Sequence, residues 1–204
     1  NTIFETKIPM TVFTWKGEVD TMMSPLDSIK YYKMFLRTGM MSMDPHTGHI
    51  KAWVGGNDYR HFKYDHVKEG KRQVGSTFKP FIYTLAMQEG YSPCYKVPNA
   101  RVTIIGEDGK PWSPENSDGK YGGMLSLKEA LAESINSVTA FLMKEFGPKA
   151  VVEIARKMGI TSPIDPFPAI CLGTPDISVY EMVGAYATFA NKGVWTEPVF
   201  LSRI

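Results

Sequence analysis

Arg72-Gln73-Val74-Gly75-Ser76-Thr77-Phe78-Lys79-Pro80-Phe81 is the stretch on which the reading of this chain turns. Ser76 and Lys79 stand three apart, so on a helix or a 3₁₀ turn they share one face. Proline is best tolerated where a helix begins, because the N–H it lacks would have no partner there. Pro80 therefore sets Ser76 and Lys79 in a first helical turn, under free backbone N–H groups with a positive field. With Phe78 and Phe81 limiting solvent, that field is expected to lower the lysine's pKa and leave some neutral amine. A neutral Lys79 can take the proton of Ser76, which activates the serine without any histidine.

The bare Ser-x-x-Lys spacing is a weak sign. Ser117-Asp118-Gly119-Lys120 satisfies it too, in a glycine-rich loop with no helix to orient the pair. Context singles out Ser76. A second segment, Glu133-Ser134-Ile135-Asn136-Ser137, lies between two predicted helices, where Ser134 and Asn136 can project from a bend into a cleft. The pair offers a hydroxyl to relay protons and an amide to hold a substrate backbone group. Taken alone, it reads first as a capping pair for the helix that follows.

The rest of the chain frames these segments. Its 204 residues, 43% hydrophobic and 22% charged, suit one substantial domain, alone or with a small appendage. A net charge of +2 without a basic block argues against nucleic acid as a partner and against electrostatic membrane binding. No apolar run approaches the ~18–20 residues that span a bilayer. The N-terminus lacks signal-peptide character and an initiator Met, so a piece of a longer protein is expected. His46, His49, His61 and His66 lie in polar stretches with no acidic or cysteine cluster to complete a ligand set, so neither metal nor cofactor is expected. Cys94 and Cys171 could form one disulfide or be two thiols; thiols are favoured, because a domain of this size needs no staple.

Residues 1–38 read as a linker or small subdomain. Met10 to Trp15 alternates like a strand and breaks at Lys16-Gly17, and Ser24-Pro25-Leu26-Asp27 opens a helix that Gly39 would close. A hairpin follows, its strands at 40–43 and 50–54 flanking Asp44-Pro45-His46-Thr47-Gly48. A polar loop over 57–72 leads to an apolar helix ending near Gly90. Residues 91–123 are loop-rich, as segments that line a site often are. Helices are predicted at about 126–133, 137–146, 148–159, and from the capping box Ser178-Val179-Tyr180-Glu181 to Gly193. The fold class is α/β in the mixed, α+β sense, with helices concentrated after residue 125.

Together the two segments resemble the transpeptidase domain of class A, bifunctional penicillin-binding proteins, a superfamily marked by Ser-x-x-Lys, Ser-Asp-Asn-like and Lys-Thr-Gly motifs. The likeness extends to Trp112-Ser113-Pro114-Glu115-Asn116, Tyr121-Gly122-Gly123, Ala130 to Asn136, Leu172-Gly173 and Ala185 to Gly193. It covers residues 39–204, while 1–38 resemble the segment that joins an upstream glycosyltransferase domain to the transpeptidase domain. The resemblance implies the penicillin-binding-protein/serine β-lactamase-like fold, here as a helix-rich lobe plus part of the antiparallel sheet. It implies a peptidoglycan D,D-transpeptidase that cross-links D-Ala-D-Ala stem peptides to an amine acceptor and is a target of β-lactam antibiotics. In the implied reaction Ser76 attacks the penultimate D-Ala carbonyl. Lys79 is the base or shares that task with Ser134, Ser134 protonates the leaving amine, and Asn136 binds the substrate amide. The implied setting is the periplasmic, extracytoplasmic face of the inner membrane, with the anchor in an N-terminal segment absent from this sequence. A serine β-lactamase or β-lactam sensor would share Ser76 and Lys79 but hydrolyse the acyl-enzyme or keep it as a signal. A non-catalytic binding module would use Ser76 and Ser134 as helix caps.

Neither Lys-Thr-Gly nor Lys-Ser-Gly occurs in the chain. The resemblance places that motif on a strand beyond Ile204, where it supplies a cation for the substrate carboxylate and, nearby, one of two oxyanion N–H donors, the other being the Ser76 amide. The chain is accordingly expected to end before part of its sheet and to expose an apolar face. Losing one oxyanion donor costs about 10²–10³ in rate, so the 204-residue chain alone is expected to take up a fluorescent penicillin slowly while a complete domain reacts normally. Equal rates for the two would contradict this.

Overall fold

The computed structural model describes residues 2–106 and 109–201. After one helical turn, α1 (Thr2–Glu5), β1 (Ile8–Thr14) pairs antiparallel with β2 (Gly17–Met23). The alternation in β1 signals its strand, whereas β2 lacks a buried apolar face, its residues being mostly exposed, and so shows no period in sequence. Helix α2 (Pro25–Met34) starts as its sequence predicts: the Ser24 hydroxyl accepts the Asp27 N–H at 3.1 Å, with proline in the first turn. It stops at Phe35, short of the expected Gly39, because Phe35 turns extended and sets its ring among Phe13, Trp15, Tyr31 and Phe62. Those rings, at 5.1–5.8 Å in edge-on and tilted arrangements, join residues 1–38 to the body of the chain. Gly39 serves another need: a Cβ there would lie 2.9 Å from the His66 carbonyl carbon.

The predicted hairpin forms from β3 (Met40–Met43) and β4 (Ile50–Val54). The polar loop after it ends in a short strand, β5 (Lys71–Gln73), then a 3₁₀ turn (Gly75–Phe78) runs directly into α3 (Lys79–Gln88). The loop-rich stretch holds β6 (Lys96–Pro98), β7 (Ile104–Ile105) and β8 (Pro111–Trp112), and β9 (Met124–Ser126) closes it by pairing with β6. Helix α4 (Leu127–Ala132) opens on a capping box of Ser126 and Glu129. Helix α5 (Asn136–Lys157) is two helical runs joined at Gly147, whose φ of 76° and ψ of 160° break it just before Pro148, as the Gly-Pro pair predicts. A second 3₁₀ turn (Pro168–Leu172), β10 (Asp176–Ser178) and α6 (Val179–Ala190) complete the order. Among the described residues the strands form five two-stranded antiparallel ladders, within the mixed helix-and-sheet architecture that the sequence predicts.

The core lies around α3. Phe78, Phe81 and Ile82 are fully buried against Val138 and Leu142 of α5 and Cys171 of the second 3₁₀ turn. Burial of side chains of this size contributes roughly 1.5–3 kcal/mol each. On another side of α3, Pro80, Tyr83 and Met87 line an open apolar groove with Leu127 and Leu131 of α4 and Phe189 of α6.

The start of α6 is pinned by Glu181. Its buried carboxylate accepts the N–H and hydroxyl of Thr161, Ser162 and Ser178, at 2.6–3.2 Å. Burial alone would raise its pKa, but the hydrogen bonds from Ser162 and Ser178 outweigh burial and hold it at about 2. This stabilisation is full above the ordinary carboxylate range and is lost as pH falls toward about 2. Glu181→Gln is expected to cost ~2–4 kcal/mol in urea unfolding at neutral pH and to flatten the acid dependence of stability. Unchanged midpoints would contradict the role.

Candidate active site

Strand β5 delivers the chain to Ser76 through two backbone tethers. Val74 N–H donates to the Pro175 carbonyl at 3.3 Å and Gly75 N–H to the Gly173 carbonyl at 2.9 Å. Gly75 (φ 57°) and Gly173 (φ 78°) both take the left-handed backbone that glycine adopts readily. A Cβ at Gly173 would come within 1.8 Å of the Gly75 oxygen, so the two chains approach as closely as backbone allows. The 3₁₀ turn is then held from both ends. Thr77 Oγ1 donates to the Val74 carbonyl at 2.6 Å, Tyr186 Oη donates to the Thr77 carbonyl at 2.7 Å, and the Lys79 N–H closes on the Ser76 carbonyl. Ser76 is left exposed, while Lys79, the first residue of α3, is 1% exposed.

Lys79 meets the joint between α4 and α5. Ser134 there has φ 57°, a left-handed conformation that costs a non-glycine residue about 1 kcal/mol or more. In it, Ser134 turns both its carbonyl and its hydroxyl to the lysine. Lys79 Nζ donates to Ser134 O at 2.5 Å, Ser134 Oγ at 2.9 Å and Asn136 Oδ1 at 2.7 Å. Three N–H groups thus meet three acceptors.

The capping readings do not survive. The N-cap of α5 is Ile135, with no side-chain cap, and the N-cap of the Ser76 turn is Val74, also without one. Asn136 instead divides its amide between Lys79 and the Glu115 carbonyl, to which Nδ2 donates at 2.8 Å. The Ser117 decoy stays in its loop, where Asp118 Oδ1 accepts the Lys120 N–H. Of the four residues singled out from sequence, Lys79, Ser134 and Asn136 form one hydrogen-bonded cluster, and Ser76 stands three residues before its centre with Oγ outside those bonds.

Burial lowers Lys79 from 10.5 to about 8, opposed by its interaction with Cys171. The cause therefore differs from the helix-end field expected from sequence: desolvation by the core dominates. Cys171 is fully buried, and burial pushes its thiol up to about 12, so it stays neutral. Cys171, Gly75 with Gly173, and Tyr186 are site residues that sequence reasoning missed as such. Leu172-Gly173 and the Ala185–Gly193 run marked the places without the contacts. Both cysteines are free thiols, Cys94 exposed and Cys171 buried. Among the described residues no group of three metal-ligating side chains occurs. An exposed hydroxyl, a buried amine whose pKa burial lowers to about 8 and a second hydroxyl on that amine are chemically suited to acyl transfer.

Residues 38–166 match the model of the penicillin binding protein transpeptidase domain, and residues 1–36 that of the penicillin-binding protein middle domain. The chain is 36% identical over 171 residues to penicillin-binding protein 2D of Bacillus subtilis, across 83% of this chain and 25% of that protein. It superposes on penicillin-binding protein 1A from Haemophilus influenzae with a TM-score of 0.75 at 29% identity, covering 80% of this chain and 25% of that one. On PonA1 from Mycobacterium tuberculosis the TM-score is 0.68 at 28% identity, covering 85% and 48%. The chain spans about a quarter of the length of the curated relatives it matches.

Gly173→Ala tests the close approach behind Ser76. The clash and the left-handed backbone are expected to cost at least ~2 kcal/mol of stability, read as a lowered thermal midpoint. A wild-type midpoint would show that the turn does not need the contact.

Proposed function

The chain belongs to the penicillin-binding protein transpeptidase domain family, and from that premise we propose that it carries the serine machinery of a peptidoglycan D,D-transpeptidase. The observation that carries the reading is the buried Lys79 Nζ hydrogen-bonded to Ser134 Oγ and Asn136 Oδ1, three residues after an exposed Ser76. With a pKa near 8, roughly one Lys79 in ten is neutral at pH 7. Once neutral, Nζ keeps two donors and gains a lone pair that can accept a proton from Ser76 Oγ, directly or through Ser134 Oγ.

The Ser76 oxygen then bonds to the carbonyl carbon of the penultimate D-Ala of a stem peptide. The C–N bond to the last D-Ala breaks, and the proton held at Lys79 passes through Ser134 Oγ to the leaving amine. An amine of a neighbouring stem peptide attacks the Ser76 ester, the acyl C–O bond breaks, and the amine's proton passes back to Ser76 Oγ, which leaves the cross-link as a new amide and the serine free. Asn136 Nδ2 carries two protons; one is engaged by the Glu115 carbonyl, which leaves the other for a substrate carbonyl. The Ser76 N–H is one oxyanion donor. β-Lactams enter by the same attack and remain on Ser76. In this reading residues 39–204 are the front portion of the transpeptidase domain and residues 1–38 its junction with an upstream glycosyltransferase domain. The whole protein is held to the membrane on its extracytoplasmic side; among the described residues no helix is long and apolar enough to cross a membrane.

Intact-protein mass spectrometry after benzylpenicillin treatment, on this chain carried within a whole transpeptidase domain, is expected to show one antibiotic-mass adduct. It should map to Ser76 and vanish in Ser76→Ala. Lys79→Ala is expected to slow its formation by about 10²–10⁴. No adduct, or one that persists in Ser76→Ala, would contradict the reading, and rapid nitrocefin turnover by the wild type would favour a β-lactamase.

A further inference from the structure

A second polar assembly, which no proposed catalytic step uses, adjoins the cluster around Lys79. Beneath the start of α5 lie three buried polar side chains: Asn99 (9% exposed), Asn116 (4%) and Ser137 (0%). Asn116 Oδ1 accepts the backbone N–H of Ser137 at 2.9 Å, one of the amides that a helix start leaves without an intrahelical partner. Asn116 Nδ2 donates to Asn99 Oδ1 and to the Lys120 carbonyl, both at 2.8 Å, and Ser137 Oγ donates to the same Asn99 oxygen at 2.7 Å. The Asn99 backbone is itself fixed, with its N–H on the Gly123 carbonyl and its carbonyl accepting from Gly122 N–H.

The next residue back grips the next residue back. The Glu115 carbonyl accepts Asn136 Nδ2 while Asn116 Oδ1 accepts Ser137 N–H, so two consecutive loop residues hold two consecutive helix residues. That pairing decides which way the Asn136 amide faces: with Nδ2 drawn to Glu115, Oδ1 is presented to Lys79. We propose that Asn116 is a positioning residue for the reaction, clamping the loop between α3 and α4 to the start of α5 so that Asn136 Oδ1 and Ser134 stay on Lys79 Nζ. This inference rests on the transpeptidase reading and names the support on which its site depends.

The clamp has a consequence beyond stability. Asn136 Oδ1 accepts a proton of the Lys79 ammonium and so favours the charged form. The titratable group that acts on Lys79 is the Cys171 thiol on the second 3₁₀ turn, which in turn acts on Tyr83 one turn along α3. Burial pushes both to about 12 and keeps them neutral, so neither compensates. A loosened Asn136 therefore moves the deprotonation of Lys79 to lower pH while it misplaces the proton relay.

The test is the rate of Ser76 acylation by a fluorescent penicillin against pH, for wild type, Asn116→Ala and Asn116→Asp within a whole transpeptidase domain, with thermal melts to establish folding. Asn116→Ala is expected to acylate about 10- to 100-fold more slowly, with the midpoint of its pH–rate rise below that of wild type. Asn116→Asp keeps the acceptor for Ser137 N–H and should recover part of the rate. A folded Asn116→Ala with wild-type rate and midpoint overturns the proposal, as does a fall in rate that only follows the folded fraction and leaves the midpoint in place. If Asn116→Ala does not fold, the near-isosteric Asn116→Leu, which also removes the acceptor for Ser137 N–H, is read in its stead, and an unchanged rate and midpoint there overturn the proposal. Failure of the wild type to acylate at Ser76 would instead sink the transpeptidase reading itself.

Discussion

An ammonium group taken out of water is costly, by several kcal/mol even after a protein relaxes around it, unless each of its protons finds an acceptor. Lys79 sits inside the core with a ring of Phe78 before it and of Phe81 after it, and its three acceptors all come from the three residues 134–136. Much of the architecture answers that demand. The left-handed Ser134 turns two oxygens to one nitrogen, Ile135 anchors the joint by burying its side chain, and the loop between α3 and α4 holds Asn136 from behind. The compromise is incomplete, and the remaining penalty on the charge brings the amine's pKa down toward neutrality. A residue that was merely an ion-pair partner would be held well above that range.

The exposed serine is served by a different kind of constraint. Its turn relies on backbone approach, through the Gly75–Gly173 contact, and on a short ladder in which Gln73 faces Asp176 and Lys71 faces Ser178. This ladder joins segments about a hundred residues apart and ends at the Ser178 cap of α6, which the Glu181 network secures. From α6 the Tyr186 hydroxyl returns to the Thr77 carbonyl beside Ser76. Ser76 and the Lys79 amine are thus fixed by separate parts of the fold that meet at α3.

Reading outward from residues 72–81 works because the local chemistry there is strong. A proline at a helix start, two flanking aromatics and a lysine three after a serine admit few structures, and the 3₁₀-to-helix junction is one of them. The Gly147-Pro148 break and the Ser178 cap are legible for the same reason. Elements defined by distant partners are not. β2 has no buried face to print a period, and α2 ends where Phe35 finds rings from two other segments, Phe13 of β1 and Phe62 of the loop after β4, rather than at its nearest glycine. The Ser134–Asn136 segment is the instructive middle case. Its residue types suit a cap as well as a cleft, and only the arrival of Lys79 from 55 residues away decides between them. The lysine's depressed pKa is legible in the sequence and its cause is not, because helix-end fields can be read locally whereas burial by α5 and the Cys171 turn cannot.

The proposed proton transfer depends on the state of one amine, and that can be observed directly. A ¹³C NMR titration of the lysine Cε resonances, with the Lys79 signal assigned by its loss in Lys79→Arg, should show one lysine with a midpoint near pH 8. A Lys79 midpoint near the ordinary lysine value of about 10.4 would mean that the buried cluster holds a permanent cation, and the proton transfer built on it would fail.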